Sequence, residues 1–245
     1  MILILLTLPF TVTVADTSPH ILQPGHFSQL NQNTLSENWK PLTFGSIEKH
    51  TDYKLVDDHG IKVIKAISSE SASGLTNTFR FNPRDYPYLS WRWKVKNHLP
   101  GTDVTKKSGD DYAARIYVIF DYRLEDLPKK EQVKVNWYKF FNGKLPPLAA
   151  INYIWANKTP INKIVSSPYT KRVKMVVLQN RSSSSGQWYR QERNIYQDYK
   201  TAFGEEPRDV TNIAIMTDTD NTEDEVESYY GDITISKTSQ LISQQ

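Results

Sequence analysis

The chain has 245 residues, a formal net charge of +3 from 30 basic and 27 acidic side chains, and no cysteine. This balance of charge excludes the basic surface on which nucleic-acid binders depend, so no nucleic acid is expected as a partner. The lack of cysteine excludes disulfides, thiol catalysis and thiolate-bound metals. Aromatic residues make up 12% of the chain, which is enough for a large core in a single domain.

The first 15 residues form a predominantly apolar run without a charged side chain. A membrane-spanning helix needs about 20 apolar residues, so this run is too short to cross a bilayer. It ends at Ala15 before the polar Asp16, a pattern typical of signal-peptide cleavage, although no Lys or Arg precedes it. We expect a signal peptide over residues 1–15, a periplasmic or secreted protein, and no transmembrane segment in the mature chain. A core strand is the alternative for this run.

Nine short runs rich in β-forming residues predict strands, with turn-forming residues between them. They predict a mainly β fold: an antiparallel two-sheet β-sandwich of jelly-roll type over residues 35–236. A lead segment at 16–34 precedes this domain, and a tail at 237–245 follows it. The predicted strands are Trp39–Ile47, Ile61–Ile67, Leu75–Phe81, Tyr88–Val95, Tyr112–Phe120, Ala149–Trp155, Arg172–Gln179, Asn212–Thr217 and Tyr230–Ile235.

Alternation along two of these strands predicts which side chains face the core. Trp91 and Trp93 share the apolar face of one strand, and Arg92 lies on the opposite face. In the next strand, Arg115 and Tyr117 lie opposite the apolar set. We expect the three polar-face residues to contribute to a single concave surface.

Tryptophan and tyrosine suit carbohydrate binding, because apolar sugar faces stack on aromatic rings while neighbouring polar groups bind hydroxyls. The aromatic residues that we expect to be exposed for stacking are Tyr117, Trp188 and Tyr230.

A single short helix is predicted over residues 195–203, where apolar and aromatic residues recur at helical spacing. Asn194 suits the N-cap, and Gln197 follows three residues later as in a capping box. Gly204 stands where a helix C-terminus favours glycine. Arg193, directly before the helix, is included among the candidate ligand-binding residues.

Asp110 and Asp111 form a carboxylate pair directly before the strand that contains Arg115. The pair could ligate a hard cation, bind a ligand, form ion pairs with Arg92 or Arg115, or act as an acid/base couple. Neighbouring strand residues point to opposite faces, so joint action on one atom requires a bend. The alternative is an Asp–Arg pair that only orders a loop.

A second acidic segment follows the apolar strand near residue 215. Asp218, Asp220 and the Asn221 carbonyl are hard oxygen donors at close spacing, which suits a structural Ca²⁺. The segment departs from the EF-hand loop, because Glu223 occupies the position of its invariant glycine. The alternative is an Asx-rich turn whose own side chains cap it. Apart from this calcium ion, the sequence indicates no cofactor.

Several stretches of the sequence resemble a bacterial family known only as domain of unknown function 3047. The resemblance covers about residues 35–236 and implies an exported protein with no established activity. The opening Trp39 strand and the closing Tyr-Gly-Asp-Ile strand are also similar to galactose-binding-like jelly-roll modules. In such modules loops or a concave face hold the ligand, often beside a structural Ca²⁺, but this analogy does not establish a site. The stretches that carry the family resemblance are residues 88–95, 109–118, 152–155, 168–170, 193–204, 213–222 and 229–233.

The sequence therefore favours non-catalytic binding of a carbohydrate or cell-envelope polymer. One alternative is a polysaccharide-cleaving hydrolase or lyase, which requires two of the predicted carboxylates to converge; a retaining glycosidase holds its pair about 5 Å apart. The other is a structural partner in an envelope complex. The sequence does not determine the ligand or the oligomeric state.

Overall fold

The structure of this chain, a computed structural model, describes residues 20–30, 35–45, 47–133 and 149–241. The predicted signal peptide at 1–15 lies outside the described residues, as do parts of the lead segment and of the tail. Across the described ranges, no helix combines the length and apolar character needed to cross a membrane.

The described residues form two seven-stranded sheets, which confirms the predicted sandwich. In the first sheet the order is β1-β14-β6-β13-β4-β3, with β11 also paired to β6. In the second sheet it is β2-β5-β12-β7-β8-β10-β9. The strands are β1 Ile21–Gly25, β2 Trp39–Leu42, β3 Asp52–Asp58, β4 Ile61–Ser69, β5 Ala72–Phe81, β6 Tyr88–Val95, β7 Arg115–Phe120, β8 Ala150–Trp155, β9 Ile164–Ser166, β10 Val173–Gln179, β11 Tyr189–Asn194, β12 Val210–Asp218, β13 Glu225–Tyr230 and β14 Ile233–Ser236.

Strand β6 organises the first sheet, because three strands pair with it. Strand β11 runs along one edge, and β13 and β14 share the other edge, pairing with its C-terminal and N-terminal parts. The single strand predicted over 230–235 is therefore wrong: the chain breaks at Gly231 and Asp232. Both strands follow the same edge of β6, and the register shifts by one residue between the Tyr230–Trp93 and Thr234–Ser90 pairs. At this break the Asp232 carboxylate accepts a hydrogen bond from the Ser28 backbone N–H at 2.8 Å.

Other departures from the prediction occur where the sequence pattern is weak. Strand β1 lies within the predicted lead segment, and β3, β9 and β11 were not predicted. Strand β11 reads YRQERN and contains almost no apolar residue, so alternation could not reveal it. The β8–β10 pair is parallel, which departs from the purely antiparallel sandwich. The chain between them returns to the same end of the sheet through β9, and this connection makes parallel pairing feasible.

Aromatic residues from both sheets fill the core between them. Trp91 and Trp93 of β6 are buried as predicted, and they meet Tyr153 and Trp155 of β8. The ring centroids of Trp91 and Tyr153 lie 5.2 Å apart, and those of Trp93 and Trp155 lie 6.2 Å apart. The apolar face of each sheet is thereby covered by the other, so the opposite faces point away from each other.

Helix α1, Ile195–Phe203, has the predicted bounds. The Asn194 side chain accepts a hydrogen bond from the Gln197 backbone N–H at 2.9 Å, and Gly204 ends the helix at φ 73°. The reciprocal bond, from the Asn194 backbone N–H to the Gln197 side-chain oxygen, is absent among the described hydrogen bonds, and Gln197 Nε2 donates to the Thr201 hydroxyl at 3.4 Å. Residues 129–133 are also helical.

We expect Asn194→Ala to lower the free energy of unfolding by about 1 kcal/mol, because the N-cap acceptor is lost. Gln197→Ala should change it by less than about 0.5 kcal/mol, because no capping bond from that side chain exists. Urea denaturation of both variants measures this difference. Equal losses would contradict the one-sided cap.

Candidate functional site

The predicted site residues do not form one surface. Arg92 lies on the outer face of the first sheet, whereas Arg115 and Tyr117 lie on the outer face of the second. The expectation of a shared concave surface is therefore wrong. Both strands direct polar side chains outward, but they belong to sheets whose outward faces point in opposite directions.

Arg115 is buried at 2% exposure and is surrounded by polar partners. Its Nε donates to Asp218 Oδ1 at 2.7 Å, and its Nη2 forms an ion pair with the other Asp218 oxygen. Nη2 also donates to the Asp110 carbonyl at 2.8 Å, and Nη1 donates to the Tyr117 hydroxyl at 3.1 Å. The guanidinium therefore links β7, the end of β12 and the loop before β7.

Asp111 is wholly buried, and although it lies in another segment of the chain, it orders the predicted calcium loop at residues 218–222. It accepts hydrogen bonds from the Asn221 backbone and side-chain amides, each at 3.0 Å. It also accepts from the Thr222 backbone and hydroxyl, each at 2.7 Å. Asn221 thus serves as a donor to Asp111, and the turn is capped by a carboxylate that lies more than 100 residues earlier in the chain.

Asp111, Asp218 and Asp220 bring carboxylate oxygens within 4.8 Å of one another. Asp110 is not one of the three, but its carboxylate lies 3.6 Å from Arg115 Nη1. Its pKa is raised because burial disfavours its charged form more than Arg115 favours it. Burial, and then the charge of Asp111, likewise raise the pKa of Asp220. Four carboxyl groups thus surround a single guanidinium, and Asp220 is the one of the converging three that remains half-exposed.

Arg193 belongs to a separate cluster at the start of α1. Its Nε and Nη2 donate to Asp198 at 2.9 and 2.5 Å, and the Tyr153 hydroxyl donates to the same carboxylate at 2.7 Å. This arrangement pairs the charge of Arg193 within the protein. Arg193 therefore does not belong to the group of candidate residues around Arg115.

The three aromatic residues expected at the surface differ in their exposure. Tyr230 is wholly buried, so that expectation is wrong: its hydroxyl donates to the Met216 carbonyl at 2.6 Å and contacts the Thr217 hydroxyl. Tyr117 and Trp188 are half-buried. Tyr230 looked like an exposed residue because the sequence did not reveal the hydroxyl-bearing partners that burial requires.

Asn152 of β8 is a functional candidate that sequence reasoning missed. It is buried, yet neither its Oδ1 nor its Nδ2 has a hydrogen-bond partner among the described residues. It lies directly opposite Tyr117 across the β7–β8 pair, on the outer face of the second sheet. The polar residue within the apolar run AINYIW was the only signal in the sequence.

Comparison with known proteins identifies the family but not a function. Residues 37–234 match the family described as "Protein of unknown function (DUF3047)". The chain belongs to this family. No curated protein matches it.

Solved structures with a similar arrangement of strands share little sequence with this family member. The family 11 carbohydrate-binding module of the cellulase Lic26A-Cel5E of Clostridium thermocellum has 8% identity and a TM-score of 0.43, over 88% of this chain and 94% of that one. The carbohydrate recognition domain of Emp47p has 10% identity and a TM-score of 0.44, over 89% and 94%. The K3 adhesin domain of Lys-gingipain from Porphyromonas gingivalis has 10% identity and a TM-score of 0.35, over 82% and 93%. Similarity at this level carries no argument about a ligand.

We expect Asp220→Asn to stabilise the fold at pH 7. A carboxyl group whose pKa is raised in the folded state costs stability as pH rises from its unfolded value, near 3.8, through its folded value. The amide removes this cost, so the gain should be present at neutral pH and disappear below about pH 3.8. Thermal unfolding across this range measures it.

Asp224→Asn is the matched control, because it removes a charge from the same loop outside the converging carboxylates. A gain from Asp220→Asn that is equal at pH 3.5 and pH 7, or equal to that of the control, would contradict a raised pKa of Asp220 in the folded protein.

Proposed function

We propose that this protein binds a carbohydrate or cell-envelope polymer without cleaving it, on the outer face of the second sheet. The proposal concerns a row of directly paired residues on four adjacent strands, which we call the Tyr117 row: Thr76, Ala214, Tyr117 and Asn152.

The Tyr117 row has the dimensions and the chemistry of a glycan subsite. Three interstrand spacings make it about 14 Å long, enough for more than one sugar ring. Thr76 and Tyr117 are partly exposed at this face, whereas Ala214 and Asn152 between and beside them are buried. The Tyr117 hydroxyl accepts a hydrogen bond from Arg115 Nη1, which fixes the orientation of the ring that a sugar would contact.

The observation that carries the proposal is the unpartnered amide of Asn152. A buried polar group without a partner costs about 1–3 kcal/mol, and native structures contain few such groups. A side-chain amide offers one acceptor and two donors, which match the hydroxyls of a sugar. Ligand binding would supply the partners that the described part of the protein does not.

The cleavage alternative is favoured by one observation and opposed by another. The oxygens of Asp111, Asp218 and Asp220 converge within 4.8 Å, close to the separation in retaining glycosidases. However, Asp111 and Asp218 are buried and already accept hydrogen bonds from the loop amides and from Arg115. Asp220 alone does not make a catalytic pair, so binding without cleavage is the stronger reading.

We expect Asn152→Leu to raise the free energy of unfolding by about 1–3 kcal/mol, because a near-isosteric apolar group removes the unsatisfied amide. The same variant should lose retention on the polysaccharides and cell-wall fractions that retain the wild type. Urea denaturation and affinity retention measure the two effects. Reducing-end release, assayed in parallel, should be absent.

Asn180→Leu is the matched control, because the Asn180 amide donates to the Thr159 carbonyl at 3.0 Å and is satisfied. This variant should lose stability and keep retention. Unchanged retention in Asn152→Leu would sink the proposal, and release of reducing ends would replace it with the cleavage alternative.

We also propose that the converging carboxylates hold one structural Ca²⁺. Calcium takes six to eight oxygen ligands, and Asp220 is the carboxylate with the fewest internal partners here. Asp111 and Asp218 supply further oxygens only on the sides not occupied by their donors. The excess of carboxyl groups over the single guanidinium supports the proposal.

We expect Ca²⁺ at about 100 times its Kd to stabilise the wild type by about 2.7 kcal/mol relative to EDTA. Asp220→Asn should abolish this stabilisation, and Asp224→Asn should keep it. Thermal unfolding in Ca²⁺, Mg²⁺ and EDTA measures the effect. Identical melting temperatures of the wild type in Ca²⁺ and EDTA would rule the ion out.

Export to the periplasm or the cell exterior belongs to the same proposal. It rests on the N-terminal run at residues 1–15 and brings the protein to the compartment where envelope polymers lie.

A further inference from the structure

The outer face of the first sheet, opposite the Tyr117 row, carries an aromatic ring between cations. Trp188 is half-buried there, directly before β11. The guanidinium carbon of Arg92 lies 4.4 Å from the centre of its ring, and Lys94 Nζ lies 4.9 Å from it. Cations at these distances are attracted to the face of an indole ring.

Lys94 and Asp58 fix the position of Trp188 and neutralise each other. Lys94 is 5% exposed, and its Nζ donates to both Asp58 oxygens at 2.9 Å. The Trp188 Nε1 donates to the same carboxylate at 2.8 Å. The orientation of the Trp188 ring is therefore fixed. The charge of Lys94 is neutralised by Asp58, so Lys94 is not expected to bind an anionic ligand.

Arg92 differs from Lys94, because its guanidinium has no acidic partner among the described residues. Its stem packs on Gly231, where an added Cβ would lie 2.5 Å from Arg92 Cγ and 2.6 Å from Nε. Glycine at this position thus allows Arg92 to lie along the sheet and reach the Trp188 ring. The arginine is held in place on two sides while its donors remain unpaired.

A second unpaired arginine lies directly across the strand pair. Arg190 of β11 is in register with Arg92 of β6, so both side chains lie on the same face of the sheet. Arg190 is exposed, and no described carboxylate pairs with it. Like charges directly opposite each other in a sheet are destabilising, so this pair has a cost that a bound anion would remove.

The acidic residues nearest in the chain are already engaged. Glu192 accepts from the Ser90 hydroxyl at 3.2 Å and from the Gln240 backbone at 2.8 Å. Asp232, next to Gly231, accepts from Ser28. Neither carboxylate lies within ion-pair distance of the two arginines.

We infer that Arg92, Arg190 and Trp188 form a second binding site, the Arg92 site, for a carboxylate-bearing sugar of an acidic polysaccharide. The guanidinium fork matches a carboxylate through two parallel hydrogen bonds, and the indole ring provides a surface for the sugar ring beside it. Two free cations on one face of the sheet suit an acidic polymer; a nucleic acid requires a longer basic stripe. The inference rests on the proposed function for the ligand class, but it uses the opposite face of the sandwich.

The test compares polygalacturonate, its methyl ester and dextran sulfate as immobilised ligands, with a neutral polymer that retains the wild type. The wild type should bind polygalacturonate and should bind the ester, which lacks the carboxylate charge, about tenfold more weakly. Arg92→Gln with Arg190→Gln should weaken binding of polygalacturonate by about tenfold or more and leave the neutral polymer unaffected. Gly231→Ala should weaken it while keeping both charges, because the new methyl group displaces Arg92.

Lys158→Gln with Lys163→Gln is the charge-matched control, since both lysines are exposed and lie outside this face. The inference is overturned if the wild type does not bind polygalacturonate, if the control loses as much affinity as the arginine variant, or if dextran sulfate binds as well and is lost in parallel. Asn152→Leu separates the two proposals. If this variant loses binding of the neutral polymer but keeps binding of polygalacturonate, both sites are supported. If it binds every polymer as the wild type does, the Tyr117 row is refuted and the Arg92 site is unaffected.

Discussion

The buried guanidinium of Arg115 holds one end of the sandwich together. It joins the β7 strand to Asp218 of β12 and to the Asp110 carbonyl in the loop before β7. Removing one partner from a buried ion pair leaves an uncompensated charge and costs about 3–5 kcal/mol. The positions of the remaining carboxylates depend on this cation, because without it their mutual repulsion would have no internal counterweight.

A seam of hydroxyl groups connects the same end of the two sheets. The Tyr230 hydroxyl of the first sheet contacts Thr217 of the second at 2.8 Å and accepts from the Arg115 backbone N–H at 3.2 Å. Thr51 donates to the Thr217 carbonyl at 2.7 Å. Buried polar networks whose members are satisfied rigidify a structure. The amide of Asn152, by contrast, has no hydrogen-bond partner among the described residues.

The aromatic core separates the two proposed binding faces. Trp91 and Trp93 fill the space between the sheets, so the Tyr117 row and the Arg92 site have no residue in common. Substitutions at sites that share no partners usually have additive effects, which makes each face testable by itself. A polymer-binding protein with two faces can hold two chains, or two parts of one chain, with a gain in avidity.

The sequence by itself determined the layers of the fold and the local chemistry. Alternation placed Trp91 and Trp93 in the core, and the cap residues of α1 defined its bounds, because both signals act between residues close in the chain. What the tertiary structure decided was which distant residues meet. Only sheet assignment could place Arg92 and Arg115 on opposite faces, since a period-two pattern separates inside from outside but not one sheet from the other. Asp111 caps a loop 110 residues later, and Arg190 of β11, a strand with almost no apolar residue, pairs directly with Arg92 of β6. Such contacts are set by strand pairing and packing, which no local pattern encodes.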